Sequence, residues 1–235
     1  MIIRLAQLRI LNLLKNLSIA CVQKYASRLL EPLKIQTSSI LRCEIVNALG
    51  VAMNSFEKMF KEITPEEIED DVFTLVGKVL SVVTAGDREH YNSMVASGGG
   101  MGVLFRKPAT WCIFQSGRYT LELIEKYKKY TLCYFPDEYK EKIMIFAKGS
   151  GRDCDKMKEV ELEAIETPGG NMAYEEARLI IECELTQVTA PDINDFRTEE
   201  ARGYIEEAMK DPIEQRKYVF GDITHVWVKR LGNVD

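Results

Sequence analysis

An antiparallel β-barrel with helical insertions, Greek-key-like in its connections, is the fold that this sequence predicts. Three observations lead there: segments with strand character outnumber helical ones, the helices stand singly between strands, and no regular alternation of strand and helix runs along the chain. A doubly wound α/β sheet would need that alternation. With 235 residues, 46% of them hydrophobic and 29% charged, the chain has an ordinary globular composition, and one cored domain is the expectation.

The elements follow in order. In Thr64-Pro65-Glu66-Glu67, Thr64 can cap, Pro65 suits a first helical position and Glu67 completes a capping box, so a short helix starts there. Residues 79–85 read as a buried strand, Gly86-Asp87 as a turn and residues 91–97 as a second strand, the two forming a hairpin. The run Ser97-Gly98-Gly99-Gly100-Met101-Gly102 reads as a flexible loop; it lacks the Lys-Ser/Thr of a P-loop and does not fit the Rossmann spacing. Residues 109–114 form a third strand, and residues 119–127 a helix with Leu121, Leu123 and Ile124 on its apolar side. A fourth strand spans 130–135 and a helix 137–147.

Further on, Ala177, Leu179, Ile181, Cys183 and Leu185 share one face of a long strand, and Arg178, Glu182, Glu184 and Thr186 are expected to face water. Ile180 interrupts the alternation, as a strand covered on both faces would. Residues 198–209 read as an acidic helix ending before Asp211-Pro212, and residues 218–231 as the last strand region. Trp111 and Trp227, on strands, are read as barrel packing. The pairs Asp70-Asp71 and Glu175-Glu176 are read as solvated or turn positions, and His90 as a polar turn residue.

The chain divides unevenly. Residues 1–52 hold seven basic and two acidic residues, leaving 24 of the 31 basic and 34 of the 36 acidic residues beyond them. Arg4, Arg9 and Lys15 interrupt the Leu/Ile-rich start, so no apolar run reaches the roughly 18 to 20 residues of a transmembrane helix. An acid-poor, Arg-bearing start suits a targeting segment or a surface-lying helix. Alternatively, residues 1–52 are an extension outside a core domain spanning 53–235.

Composition excludes several classes. A net charge of -5, with no clustered basic surface after residue 53, argues against nucleic acid as a partner. Six cysteines (21, 43, 112, 133, 154 and 183) without a CxxC pair, and only His90 and His225, signal neither a zinc site nor a redox dithiol. A reducing cytoplasm is the simplest location.

Two segments carry groups suited to an anion. Gln115-Ser116-Gly117-Arg118-Tyr119-Thr120 lies where a strand ends and a helix begins, so free backbone N–H groups, the Arg118 guanidinium and two hydroxyls can converge. The alternative is that Ser116 merely caps the helix while Arg118 stands in solvent. The segment from Lys148 to Lys156 has two glycines that admit close backbone approach, and cationic side chains nearby. Its alternative is Gly149 as a C-cap and Asp153 as an N-cap.

Taken in series, Thr84-Ala85-Gly86-Asp87, the stretch Asn92-Ser93-Met94-Val95-Ala96-Ser97 with the glycines after it, Arg118-Tyr119-Thr120, and Ser150-Gly151-Arg152-Asp153-Cys154-Asp155-Lys156 resemble the flavin reductase-like, FMN-binding split-barrel family, flavoredoxin-type proteins included. The likeness runs from about residue 60 to residue 230. It implies that Asn92, Ser93, Met94, Val95, Ala96 and Ser97 line FMN, that Arg118, Tyr119 and Thr120 hold its phosphate or ribityl chain, and that Ser150, Gly151 and Lys156 complete the site. It also implies a homodimer, no catalytic side chain, and electron transfer from NADH or NADPH through the flavin to an acceptor.

Two departures stand out. Relatives often read Met-Thr-Ala-Ser-Trp where this chain has Met94-Val95-Ala96-Ser97-Gly98, which removes a hydroxyl and a large aromatic. Near the C-terminus, Gly221-Asp222-Ile223-Thr224-His225 leaves the register of His225 open between a ligand contact and a packing residue. The resemblance therefore also admits an FMN electron carrier without strong NAD(P)H activity, and the departures admit a non-enzymatic barrel that has lost flavin. A chain shortened to begin at Met53 is expected to fold and to keep its flavin; loss of soluble protein or of flavin absorbance on that truncation is the contrary outcome.

Overall fold

The computed structural model describes residues 56–152 and 156–230. The extension with its Met53 boundary, Cys21 and Cys43, and the Asp153, Cys154 and Asp155 stretch of the cationic loop lie outside those residues.

Ten strands form among the described residues: β1 (Phe60–Ile63), β2 (Ser81–Gly86), β3 (Tyr91–Ala96), β4 (Gly99–Leu104), β5 (Lys107–Gln115), β6 (Lys129–Tyr134), β7 (Ala164–Glu166), β8 (Met172–Tyr174), β9 (Leu179–Thr189) and β10 (Arg216–Lys229). Eight belong to one sheet ordered β3-β2-β6-β9-β10-β5-β4, with β1 also on β10, while β7 and β8 make a separate hairpin. The pairs are antiparallel throughout. The longer helices are α1 (Tyr119–Tyr127) and α2 (Glu199–Met209).

The order of the sheet explains its closure. Strands β3 and β4 stand at its opposite edges, yet only Ser97 and Gly98 join them in the chain, so the two edges must come together. The β4–β5 ladder runs on into this connection, the Ile113 N–H donating to the Gly98 carbonyl (3.0 Å). The 14-residue β10 pairs along one edge with β9, while β5 takes the first half of its other edge and β1 the second. Register shifts at Phe220/Gly221 and Ile223/His225 let so long a strand bend around the barrel.

Alternate residues of the central strands feed two different cores. Val83, Leu132 and Ile181 pack with Leu121 and Ile124 of α1, whereas Val82, Cys133 and Ile180 pack with Phe146, Tyr174 and Trp227 on the opposite face. Both faces are therefore apolar, which accounts for the uninterrupted burial of β2 and for Ile180.

The same double coverage overturns one expectation. Glu182 does not face water; it is fully buried. Its Oε2 accepts from the Thr167 hydroxyl (2.7 Å) and the Asn171 side-chain amide, and its Oε1 accepts from the Trp227 indole N–H (2.6 Å). A carboxylate with three donors survives burial, and it ties the turn between β7 and β8 to the barrel wall.

The glycine run is likewise no loop but β4, paired residue for residue with β5. A Cβ on Gly100 would stand 2.3 Å from the Trp111 ring, and one on Gly99 would stand 2.0 Å from the Trp111 carbonyl oxygen. The glycines are what let the indole lie against the strand. Two helices also come out shorter than the periodicity suggests. The Thr64 start makes only a 3₁₀ turn over Pro65–Glu67, its Glu67 carboxylate accepting from the Thr64 N–H (2.7 Å). The stretch 137–147 breaks into Asp137–Tyr139, Lys140–Ile143 and Met144–Ala147.

Removing the Glu182 carboxylate strands three donors inside the core. Glu182→Ala is expected to cost about 3 kcal/mol or more of stability, and Glu182→Gln, which keeps one acceptor oxygen, less. Urea unfolding followed by Trp fluorescence checks this as a fall in midpoint at unchanged slope.

Candidate functional site

The seam between β3 and β5 opens into a cleft. Strand β5 ends at Gln115, the chain turns through Ser116 and Gly117, and α1 begins after Arg118, whose extended backbone (φ -74°, ψ 127°) occupies the N-cap position without a side-chain cap. Ser116 caps nothing: its hydroxyl donates to the Pro212 carbonyl (2.5 Å) and its N–H to the Gln215 carbonyl (2.7 Å). The Gly117 N–H donates to the Ile213 carbonyl (3.1 Å), so the turn is pinned from outside and the start of α1 stays open.

A cavity of about 420 Å³ sits over that helix start. Asn92, on β3, is buried and donates from Nδ2 to Thr120 Oγ1 (2.7 Å). Gly151 closes against the same side chain, since a Cβ there would fall 2.0 Å from Asn92 Oδ1. The Lys156 side chain is buried beneath the loop and donates to the carbonyls of Phe146 (3.2 Å) and Gly149 (2.9 Å). Arg118 lines the cavity, and its Nε is buried without a hydrogen-bond partner.

That last atom sets the chemistry of the site. A buried guanidinium N–H left unpaired costs free energy, and the first N–H groups of a helix have no intrahelical acceptor. Both are relieved by one oxyanion at the start of α1, and a phosphate suits them.

Met94, Gln115 and Arg118 also border a second cavity of about 310 Å³, whose wall includes Val95, Ala96, Ser97 and Gly98. The structure thus brings Asn92, Met94, Val95, Ala96, Ser97, Arg118, Tyr119, Thr120, Ser150, Gly151 and Lys156 around one two-lobed cleft. Ser93 is the exception. It alternates to the other face of β3, where its hydroxyl bonds with those of Thr84 (2.8 Å) and Tyr174 (2.7 Å). Its side chain is structural.

Other lining residues escaped the sequence reading. Ile213 and Glu214 reach the first lobe, with the Glu214 carboxylate accepting from the Gln115 amide; Tyr204 and Arg216 border the second. No local pattern marks them, because they arrive from α2, the turn after it and the start of β10, about a hundred residues along the chain. Gln115 and Arg152 did stand inside the two anion-type motifs.

His225 lies outside both lobes, its Nδ1 2.7 Å from Glu62 Oε1 and its ring stacked near Trp227. It serves the β1–β10 pairing. Burial pushes the Cys133 and Cys183 thiols up to about 12 and raises that of Cys112 further, so these three stay protonated at neutral pH. No helix among the described residues is long and apolar enough to cross a membrane.

Comparison with known proteins bears on this geometry. The family model described as "Flavin reductase like domain" matches residues 73–232. Among solved structures, an FMN-binding protein from Thermus thermophilus with bound 1-cyclohex-2-enone is 18% identical, with 72% of this chain and 77% of that one covered and a TM-score of 0.50. An FMN-binding domain of a flavin reductase-like enzyme from Shewanella baltica is 13% identical (72% and 76% covered, TM-score 0.51). The flavoredoxin of Desulfovibrio vulgaris is 16% identical (71% and 76% covered, TM-score 0.50). No curated protein matches the chain. At these identities the solved structures establish the shared fold, and the family model, spanning more than half of the residues, establishes that this chain belongs to the flavin reductase-like domain family.

Proposed function

We propose that this chain binds FMN along the two-lobed cleft and works as an oxidoreductase that passes electrons from NADH or NADPH to an acceptor. The observation that carries the reading is the buried, unpartnered Nε of Arg118 at the open start of α1. A phosphate satisfies it, and FMN brings one. The FMN-binding relatives support the identity of the ligand.

Each residue has a part that its present contacts suggest. Arg118 and the first N–H groups of α1 take the phosphate, while the Asn92–Thr120 pair and the Ser150-Gly151 backbone border the same lobe. Lys156, already bonded to two carbonyls, shapes the loop as a buried cation close to that charge. Val95, Ala96 and Ser97 offer the backbone edge of the second lobe, and Val95 brings no hydroxyl to it. When bound, the flavin ring supplies the hydride chemistry, so the protein needs to orient and shelter it rather than provide an acid or a nucleophile.

A second reading is an electron carrier with little nicotinamide activity. It is favoured by Gly98 on the wall of the second lobe, where the large aromatic common in relatives is missing and the nearest atoms to an added Cβ, those of the Ile113 side chain, stand at 3.6 Å or more. A homodimer and a cytoplasmic location belong to the proposal. Val103 and Phe105, strongly exposed at the β4–β5 turn, support the dimer as apolar surface in want of cover.

Purified protein should show flavin absorbance at one FMN per chain, bleached anaerobically by NADH or NADPH; a flavin that only a reduced protein partner bleaches would establish the carrier reading instead. Arg118→Ala should weaken FMN about ten- to a hundredfold, the worth of a charge-assisted hydrogen bond of roughly 1.5 to 3 kcal/mol. Arg118→Lys should recover only part of it, since an ammonium lacks the planar fork. Riboflavin, without the phosphate, should bind wild type and Arg118→Ala almost equally. Calorimetric titration of both ligands decides it, and an unchanged FMN affinity in Arg118→Ala would remove the phosphate from Arg118.

A further inference from the structure

We propose that Arg152 and Glu122 form an electrostatic latch that holds the Gly149–Arg152 wall shut over the phosphate lobe and so sets how long a phosphorylated ligand stays bound. The inference rests on the reading of that lobe as the FMN phosphate site.

The wall has two anchors of different character. On its inner side Lys156 is buried and bonded to the Gly149 carbonyl, and Gly151 abuts Asn92. On its outer side the Arg152 guanidinium crosses to the strand–helix turn and α1. Arg152 Nη1 donates to the Gly117 carbonyl (2.9 Å), Nη2 pairs with the Glu122 carboxylate in the first turn of α1, and the guanidinium carbon lies 5.4 Å from the centre of the Tyr119 ring. The Ser150 hydroxyl accepts from the Arg152 N–H (3.2 Å), which keeps the loop turned toward this contact.

Arg152 therefore closes a bridge between the loop and the strand–helix turn that carries Arg118. The inner anchor is sealed from water, but the Arg152 and Glu122 side chains are 40% and 55% exposed. An exposed ion pair breaks more readily than a buried bonded ammonium, so the wall opens from the outside. With Arg152 spent on Glu122 and Gly117, its part is that of a positioning residue: it retains the ligand by holding the wall, and Glu122 is needed to hold Arg152.

The sign of the Glu122 effect separates this from a direct contact. If the latch is right, Arg152→Gln and Glu122→Gln each speed FMN release about three- to tenfold, with little change in the association rate or the thermal midpoint. The double variant releases FMN no faster than the faster single one, because both changes break the same bridge. Arg152→Lys, which keeps the charge without the reach of two nitrogens, should fall between.

Stopped-flow fluorescence of FMN release from the loaded protein, with association measured separately, reads all four variants. Slower release from Glu122→Gln would overturn the latch, since it would mean that Glu122 draws Arg152 away from the phosphate. Unchanged rates, or rate effects that multiply in the double variant, would overturn it as well. Failure of the wild type to bind FMN at all would instead overturn the reading on which the latch rests, and the latch with it.

Discussion

The constraint on which the rest of this molecule depends is the two-residue connection between β3 and β4. Because these strands occupy opposite ends of the sheet order, Ser97 and Gly98 force the sheet to meet itself. The cleft follows from that closure. Asn92 and Met94 come from one side of the seam, Gln115 and Arg118 from the other, and neither group could form a site alone. The glycines that begin β4 serve the same end, since side chains there would drive Trp111 out of the barrel wall.

Closure also decides how polar groups can be placed. Wrapped by α1 on one face and by residues 137–147 with the β7–β8 hairpin on the other, the central strands have no wet side. A polar residue on them must find partners inside or be excluded. Glu182 finds three, Ser93 finds two hydroxyls, and Thr110 bonds with Tyr130. Against that background the unpaired Nε of Arg118 stands out among the described side chains. In a molecule that satisfies its buried polar atoms so widely, this one unpaired N–H beside a helix start is what the proposed phosphate site rests on.

The cleft is built from two kinds of element. Its floor is barrel strand and helix, and its outer wall is a loop bonded through Lys156 on the inside and Arg152 on the outside. Under the proposed latch, the barrel floor orients the ligand and the loop wall governs its release.

The sequence by itself determined the class of fold, most of the strands, α1 to the residue, and the strand-to-helix junction on which the candidate cleft is built. Those features are written locally, in period-2 runs of apolar residues, in turn residues, and in a strand-to-helix junction that carries an arginine. Tertiary structure alone decided that the glycine run is a strand, that Glu182 is buried, that Ser93 turns away from the cleft, and that Tyr204, Ile213, Glu214 and Arg216 reach it. The physical reason is common to all four. Whether a residue meets water, a partner or a ligand depends on what covers its face of the sheet, and here that cover comes from segments distant in the chain, so no local pattern of residues records it.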